Sequence, residues 1–225
     1  MILSHKYRFI FVRTQKTASS SLEISLSRYC GDEDILAPMD PVAEEQRRQL
    51  NVFPRNYHVP LSKYRGKEWL RLLRGWRLTY WDHMPVKHIK RFIGDEIFNS
   101  YYKFCFERNP WDKVISYYFW ENRKEKYRDL DDFLSRKKLC TDFHRYSING
   151  ELAVDFVGRY ENFTEDLHFV CHKLGIPFDG WMPRDKGQYR KDRRSYTEVL
   201  TSDQKRLIDN RFSREIAHFG YQYGE

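Results

Sequence analysis

F-I-F-V-R-T-Q-K-T-A-S-S-S, Phe9 to Ser21, is the stretch on which the reading of this chain turns. Phe9 to Arg13 has the aromatic and β-branched character of a strand. A short polar turn follows, holding Lys16, Thr17, Ala18 and the serines Ser19, Ser20 and Ser21. Helical character takes over with Leu22, Ile24 and Leu26. A strand that passes through small hydroxyl residues into a helix is a way to hold an anion. The first helical N–H groups have no partner inside the helix, the helix dipole favours negative charge there, and small side chains let the backbone come close. The hydroxyls add donors and Lys16 adds a cation. The same residues also read as an ordinary strand–turn–helix whose serines cap the helix. The Walker pattern G-x-x-x-x-G-K-[ST] is excluded, because no glycine lies between Met1 and Cys30.

Outward from this stretch, strands alternate with helices. The first helix is expected from Ala18 to Tyr29, a short one around Glu44 to Leu50, and another from Lys67 to Arg74, stopped by Gly75. Trp76 to Trp81 reads as a second strand. Pro85 then fits the first turn of a helix closed by Gly94. Tyr101 to Glu107 reads as a buried strand, and Arg108-Asn109-Pro110 opens the next helix, with Asn109 as N-cap and Pro110 at its first position. Asn149-Gly150 marks a hairpin. Val154 to Tyr160 is a strand, Phe163 to Leu174 a helix, and Ser202 to Phe219 the last helix. This alternation predicts an α/β protein of one domain over residues 1–225, with three layers and a mainly parallel central sheet flanked by helices.

Composition narrows the function. The 225 residues carry a net charge of +8, which suits an anionic partner: nucleic acid, a phosphorylated cofactor, an acidic polymer or a membrane surface. Cys30, Cys105, Cys140 and Cys171 form no C-x-x-C, so zinc-finger spacing is absent and a disulfide framework is not expected. No apolar run has the length of a membrane span, and with the first strand expected at Tyr7 to Arg13, close to the start, no signal peptide is expected. A soluble, cytoplasmic protein is expected.

A second anion signal lies at Arg108 and Ser116. Arg108 ends a strand and Ser116 sits in the second turn of the following helix, so both can face the carboxyl ends of the strands, where open α/β sheets bind ligands. Arginine suits phosphate through its fork of donors. Two phosphate sites in one crevice describe a nucleotide phosphorylated on its 5′ and 3′ sides.

With these motifs the chain resembles the sulfotransferases that use 3′-phosphoadenosine 5′-phosphosulfate. T-Q-K-T-A-S-S-S resembles their 5′-phosphosulfate loop, and F-E-R-N-P-W-D-K-V-I-S-Y-Y-F-W, Phe106 to Trp120, their 3′-phosphate motif. V-G-R-Y-E-N-F-T-E-D-L, Val157 to Leu167, and a basic segment before a terminal helix ending F-G-Y are similar too. The likeness is greatest to carbohydrate sulfotransferases of the heparan sulfate 2-O type, and weakest from Gly31 to Leu73. It implies a fold like that of the nucleotide kinases and an acceptor hydroxyl on a carbohydrate. It also implies that Lys16 and the turn from Thr17 to Ser21 hold the 5′-phosphosulfate, while Arg108 and Ser116 hold the 3′-phosphate. The basic loop, with Lys186, Arg190, Lys191, Arg193 and Arg194, would close over the donor; Arg190 and Arg193 are its candidate contacts. Transfer of this kind is expected to need no metal.

The resemblance also assigns a base, His83 in Y-W-D-H-M-P-V-K-H-I, where related enzymes carry a catalytic histidine. An imidazole titrates near neutrality, so turnover would rise with pH there. His88 is the neighbouring competitor, with a surface position expected. His168 and His172, at i and i+4 beside Cys171, have no evident third ligand and read as structural. Two rival classes remain: a P-loop-like small-molecule kinase, and a basic module binding nucleic acid or acidic polysaccharide through the interleaved aromatic and basic residues of Tyr57 to Arg77.

Overall fold

A computed structural model of the protein describes residues 1–183, 190, 192 and 194–225. The chain opens with β1 (Ile2–Ser4), β2 (Phe9–Phe11), α1 (Ser19–Ser27), β3 (Ile35–Leu36), α2 (Pro41–Arg48) and α3 (Lys67–Leu73). It continues through α4 (Val86–Ile93), α5 (Asp95–Ser100), β4 (Tyr102–Glu107), α6 (Pro110–Glu121), α7 (Leu130–Arg136) and α8 (Phe143–Tyr146). The small hairpin β5 (Ser147–Ile148) and β6 (Glu151–Leu152) precedes β7 (Phe156–Arg159) and α9 (Phe163–Leu174). Three helices close the chain: α10 (Tyr196–Val199), α11 (Ser202–Arg211) and α12 (Ser213–Phe219).

The central sheet has the order β3-β1-β2-β4-β7. β2, β4 and β7 run parallel, whereas β1 is antiparallel to both its neighbours, so four of the five strands point one way. The layers follow from period-2 alternation along β2 and β4. Phe9, Phe11, Phe104 and Phe106 face one side, packed with Leu22 and Leu26 of α1 and Leu167 and Val170 of α9. Ile10, Val12 and Cys105 face the other, packed with Val86, Ile89 and Phe92 of α4 and Tyr146 of α8. A separate helical cluster joins α6, α7 and α11 through Val114, Phe133 and Ile208. Neighbouring β4 and β7 come close where Phe106 pairs with Gly158; a Cβ on Gly158 would lie 2.5 Å from the Phe106 ring.

Three of the differences between the structure and the sequence reading bear on the sheet and the chain's end. The first strand is β1, because the turn after it is fastened from a distance: Asp34 accepts His5 N–H at 2.6 Å, Lys6 N–H at 3.1 Å and the Ser4 hydroxyl at 2.7 Å. Trp76 to Trp81 forms no strand, only a single bridge between His58 and Thr79. The expected last helix breaks at Phe212, whose side chain is drawn into the α6–α11 cluster.

Candidate functional site

Three adjacent parallel strands deliver their carboxyl ends to one cavity of about 670 Å³. Arg13 to Ser21 follow β2, Arg108 and Asn109 follow β4, and Tyr160 and Glu161 follow β7. This is the crevice where open α/β sheets place ligands.

The turn after β2 is held open by its backbone. Lys16 and Ala18 both adopt left-handed conformations, with φ of 61° and 54°. Ala18 occupies the N-cap of α1 and makes no side-chain cap, so the serines do not cap this helix. The first turn-closing bond runs from Leu22 N–H to Ala18 O, which leaves the N–H groups of Ser19, Ser20 and Ser21 at the head of the helix. Gln15, Lys16, Ala18 and all three serines line the cavity. Thr17 is turned away: its hydroxyl donates to Thr14 Oγ1 at 2.9 Å, and Thr14 donates to Phe106 O at 2.5 Å. Lys16 Nζ stands 5.4 Å from the Trp120 ring centroid, at the edge of the same cavity.

Arg13, at the end of β2, fastens this turn from below. Its Nε donates to Ser19 Oγ at 3.3 Å and its Nη2 to Ser20 Oγ at 2.6 Å. Its Nη1 pairs with Asp82 at 2.6 Å, beside His83.

On the β4 side, Arg108 is clasped rather than open. Nε and Nη2 donate to Asp112 Oδ2 at 2.8 and 2.5 Å, and Nη1 donates to Lys16 O at 2.9 Å. Its guanidinium also lies 4.0 Å from the Tyr160 ring centroid. Arg190 takes the other Asp112 oxygen at 2.5 Å. Burial raises the Asp112 carboxyl, but the two arginines outweigh it and hold the group below its ordinary range. Ser116, one turn further along α6, faces the cavity. Asn109 caps α6 through Trp111 and Asp112 N–H, and its own N–H donates to Glu161 at 2.7 Å. Arg108 thus retains N–H hydrogens for an added anion while the carboxylate fixes its plane.

His83 lines the cavity with 23 % of its side-chain surface open. Its Nδ1 lies 3.2 Å from Arg13 O. A carbonyl only accepts, so Nδ1 carries the proton and Nε2 keeps its lone pair. Burial, reinforced by the charge of Arg13, pushes the imidazole down to about 3. This corrects the expectation of a titration near neutrality: the ring is already neutral there. His83 adopts a left-handed conformation, φ 53°, and its carbonyl accepts from Arg145.

Arg190 and Arg194 line the cavity, whereas Arg193, Lys186 and Lys191 lie outside the described residues. His88 is exposed on α4, with its ring 5.6 Å from that of Trp81. His168 and His172 lie on α9, where His168 packs edge-on to Phe178. Sequence reasoning missed Arg13, Asp112, Tyr160, Glu161 and Tyr196. Of these only Asp112 carried a local signal, its i, i+4 spacing from Arg108.

The chain matches the model of the Sulfotransferase family over residues 1–222. It belongs to the sulfotransferase family. This sulfotransferase is also similar to an uncharacterized protein of Archaeoglobus fulgidus, 38 % identical over 101 residues, which is 42 % of this chain and 84 % of that relative. No helix among the described residues is long and apolar enough to cross a membrane. The enzyme is a transferase whose family implies a hydroxyl-bearing acceptor.

Proposed function

We propose that this sulfotransferase takes 3′-phosphoadenosine 5′-phosphosulfate as donor and a carbohydrate hydroxyl as acceptor, in the manner of the heparan sulfate 2-O type. One observation carries the reading: two strand ends suited to anions, the Lys16–Ser21 turn and the Arg108–Ser116 pair, open into a single cavity. The head of α1 with Lys16 suits the 5′-phosphosulfate, and Arg108, Ser116 and Arg190 suit the 3′-phosphate. The donor supplies the sulfuryl group. His83 Nε2 accepts the proton of the acceptor hydroxyl as its oxygen bonds to sulfur. The bond from sulfur to the bridging oxygen breaks, and the electron pair stays on the 5′-phosphate. Lys16 meets the negative charge that grows on that oxygen, so its attraction is strongest in the transition state. Donor anions beside the imidazole raise its basicity, which offsets the effect of Arg13.

The test is transfer of radiolabel from labelled donor to a panel of hydroxyl-bearing acceptors, carbohydrates included. Labelled product supports the reading. Absence of transfer, with phosphorylation of the same acceptors from ATP, rejects it in favour of a kinase.

A further inference from the structure

We propose that the surface formed by residues 61–81 docks on an anionic lipid bilayer. α3 is a helix that buries none of its residues. Leu72 is its anchor to the core, while Leu70, Leu73 and nearby Trp76 are 57 %, 83 % and 73 % exposed. Trp69, Leu61 and Trp81 are exposed as well. Single exposed apolar residues are ordinary, but a cluster of large ones on one short segment marks a contact surface.

Charge identifies the occupant. Arg65, Lys67, Arg71, Arg74 and Arg77 are all exposed on the same segment. Lys67 and Arg71 share one stripe of α3 at i, i+4, beside the stripe of Leu70 and Arg74, with Leu73 flanking Leu70 on its other side. The one acidic residue between positions 61 and 81 is Glu68, and it is turned to Arg91, which neutralises it. The face is therefore apolar and cationic at once. A second copy of this chain would set five exposed cations against five like charges. Nucleic acid or an acidic polysaccharide would satisfy the arginines but leave Leu70 and Leu73 in water. An anionic bilayer accepts both sets: headgroups take the cations, tryptophans sit at the interface, and the leucines enter the acyl boundary.

The experiment is co-sedimentation of the full chain with vesicles of phosphatidylcholine and of phosphatidylcholine mixed with phosphatidylserine. Neither donor nor acceptor is needed, so the result is independent of the proposed reaction. Two variants are compared, Leu70→Ser/Leu73→Ser/Trp76→Ser and Arg71→Gln/Arg74→Gln/Arg77→Gln. All six side chains are exposed, and circular dichroism checks that both variants fold. Binding is expected to the phosphatidylserine vesicles, falling about 100-fold in the arginine variant and at least roughly 10-fold in the apolar variant. Lack of binding to those vesicles overturns the proposal. So does binding that survives loss of Leu70, Leu73 and Trp76. Tight binding to heparin or RNA, undiminished in the apolar variant and without vesicle binding, overturns it in favour of an aqueous polyanion.

Discussion

The carboxylate of Asp142 accepts the backbone N–H of Gln15 at 2.7 Å, across 127 residues of chain. Its other oxygen accepts Arg145 Nε–H at 2.5 Å, and Arg145 in turn donates to the carbonyl of His83. Lys113 completes the network beneath the cavity, pairing with Asp142 at 2.9 Å and Glu107 at 2.5 Å, all three side chains buried. Burial raises the Asp142 carboxyl, but Lys113 and Arg145 outweigh it and keep the group ionised. One carboxylate thus sets both the turn that carries Lys16 and the loop that carries His83. Asp142→Asn replaces an acceptor by a donor facing other donors. It should destabilise the fold by roughly 3 kcal/mol, read from the denaturant midpoint, and lower turnover beyond what the loss of folded protein explains.

The profile of kcat/KM for the donor, which is set by the donor-free enzyme, should be flat where an exposed histidine would titrate. With the imidazole pushed down to about 3, His83 is unprotonated through neutrality. The acid limb of kcat/KM, which reports the free enzyme, should therefore lie well below the ordinary value of about 6.5. The stability sign follows from the same depression. Folding releases a proton between the two values, so this contribution is whole above about 6.5 and is lost as pH falls toward 3. A kcat/KM limb centred near 6.5 and absent in His83→Ala would contradict the buried state described. His83→Ala itself should keep nucleotide binding and lower turnover by about 10²- to 10⁴-fold.

In the proposed mechanism the lysine meets charge that develops during transfer, so Lys16→Ala should lower kcat more than it weakens binding of the desulfated nucleotide. Measured kcat and product affinity decide it. An effect confined to the donor KM would make Lys16 a ground-state contact only.

Gly158→Ala should destabilise the sheet by about 1–3 kcal/mol, measured by denaturant unfolding. The added methyl meets the buried Phe106 ring, which has little room to shift.

The parts of the site legible in sequence are those built from neighbours in the chain. The polar turn from Lys16 to Ser21 and the Asn109-Pro110 helix start each carry their own chemistry within a few residues: Lys16, Ala18 and the three serines line the cavity, Thr17 turns away from it, and Asn109 caps α6. Arg13 was hidden because its role lies in contacts to Ser19, Ser20 and Asp82, and a strand-end arginine looks alike with or without them. The Asp112 clasp needs Arg190, 78 residues away. His83 was visible as a residue but not as a depressed titration, since burial and the Arg13 charge are properties of the folded chain. β1 escaped for the same reason: its turn is closed by Asp34 and not by residues of the turn itself.

The most direct test of the two-anion cavity is thermal unfolding with 3′-phosphoadenosine 5′-phosphate against adenosine 5′-phosphate, in the native protein and in Ser116→Ala. Ser116→Ala leaves the Arg108 contacts to Asp112 and Lys16 O in place, so it probes the 3′ side without disturbing the turn. The bisphosphate should raise Tm by roughly 5–10 °C at about a hundredfold over its Kd. The monophosphate should raise it much less at the same concentration, and the gap should narrow in Ser116→Ala. Equal stabilisation of the native protein by the two nucleotides would contradict the assignment of the 3′-phosphate to Arg108 and Ser116.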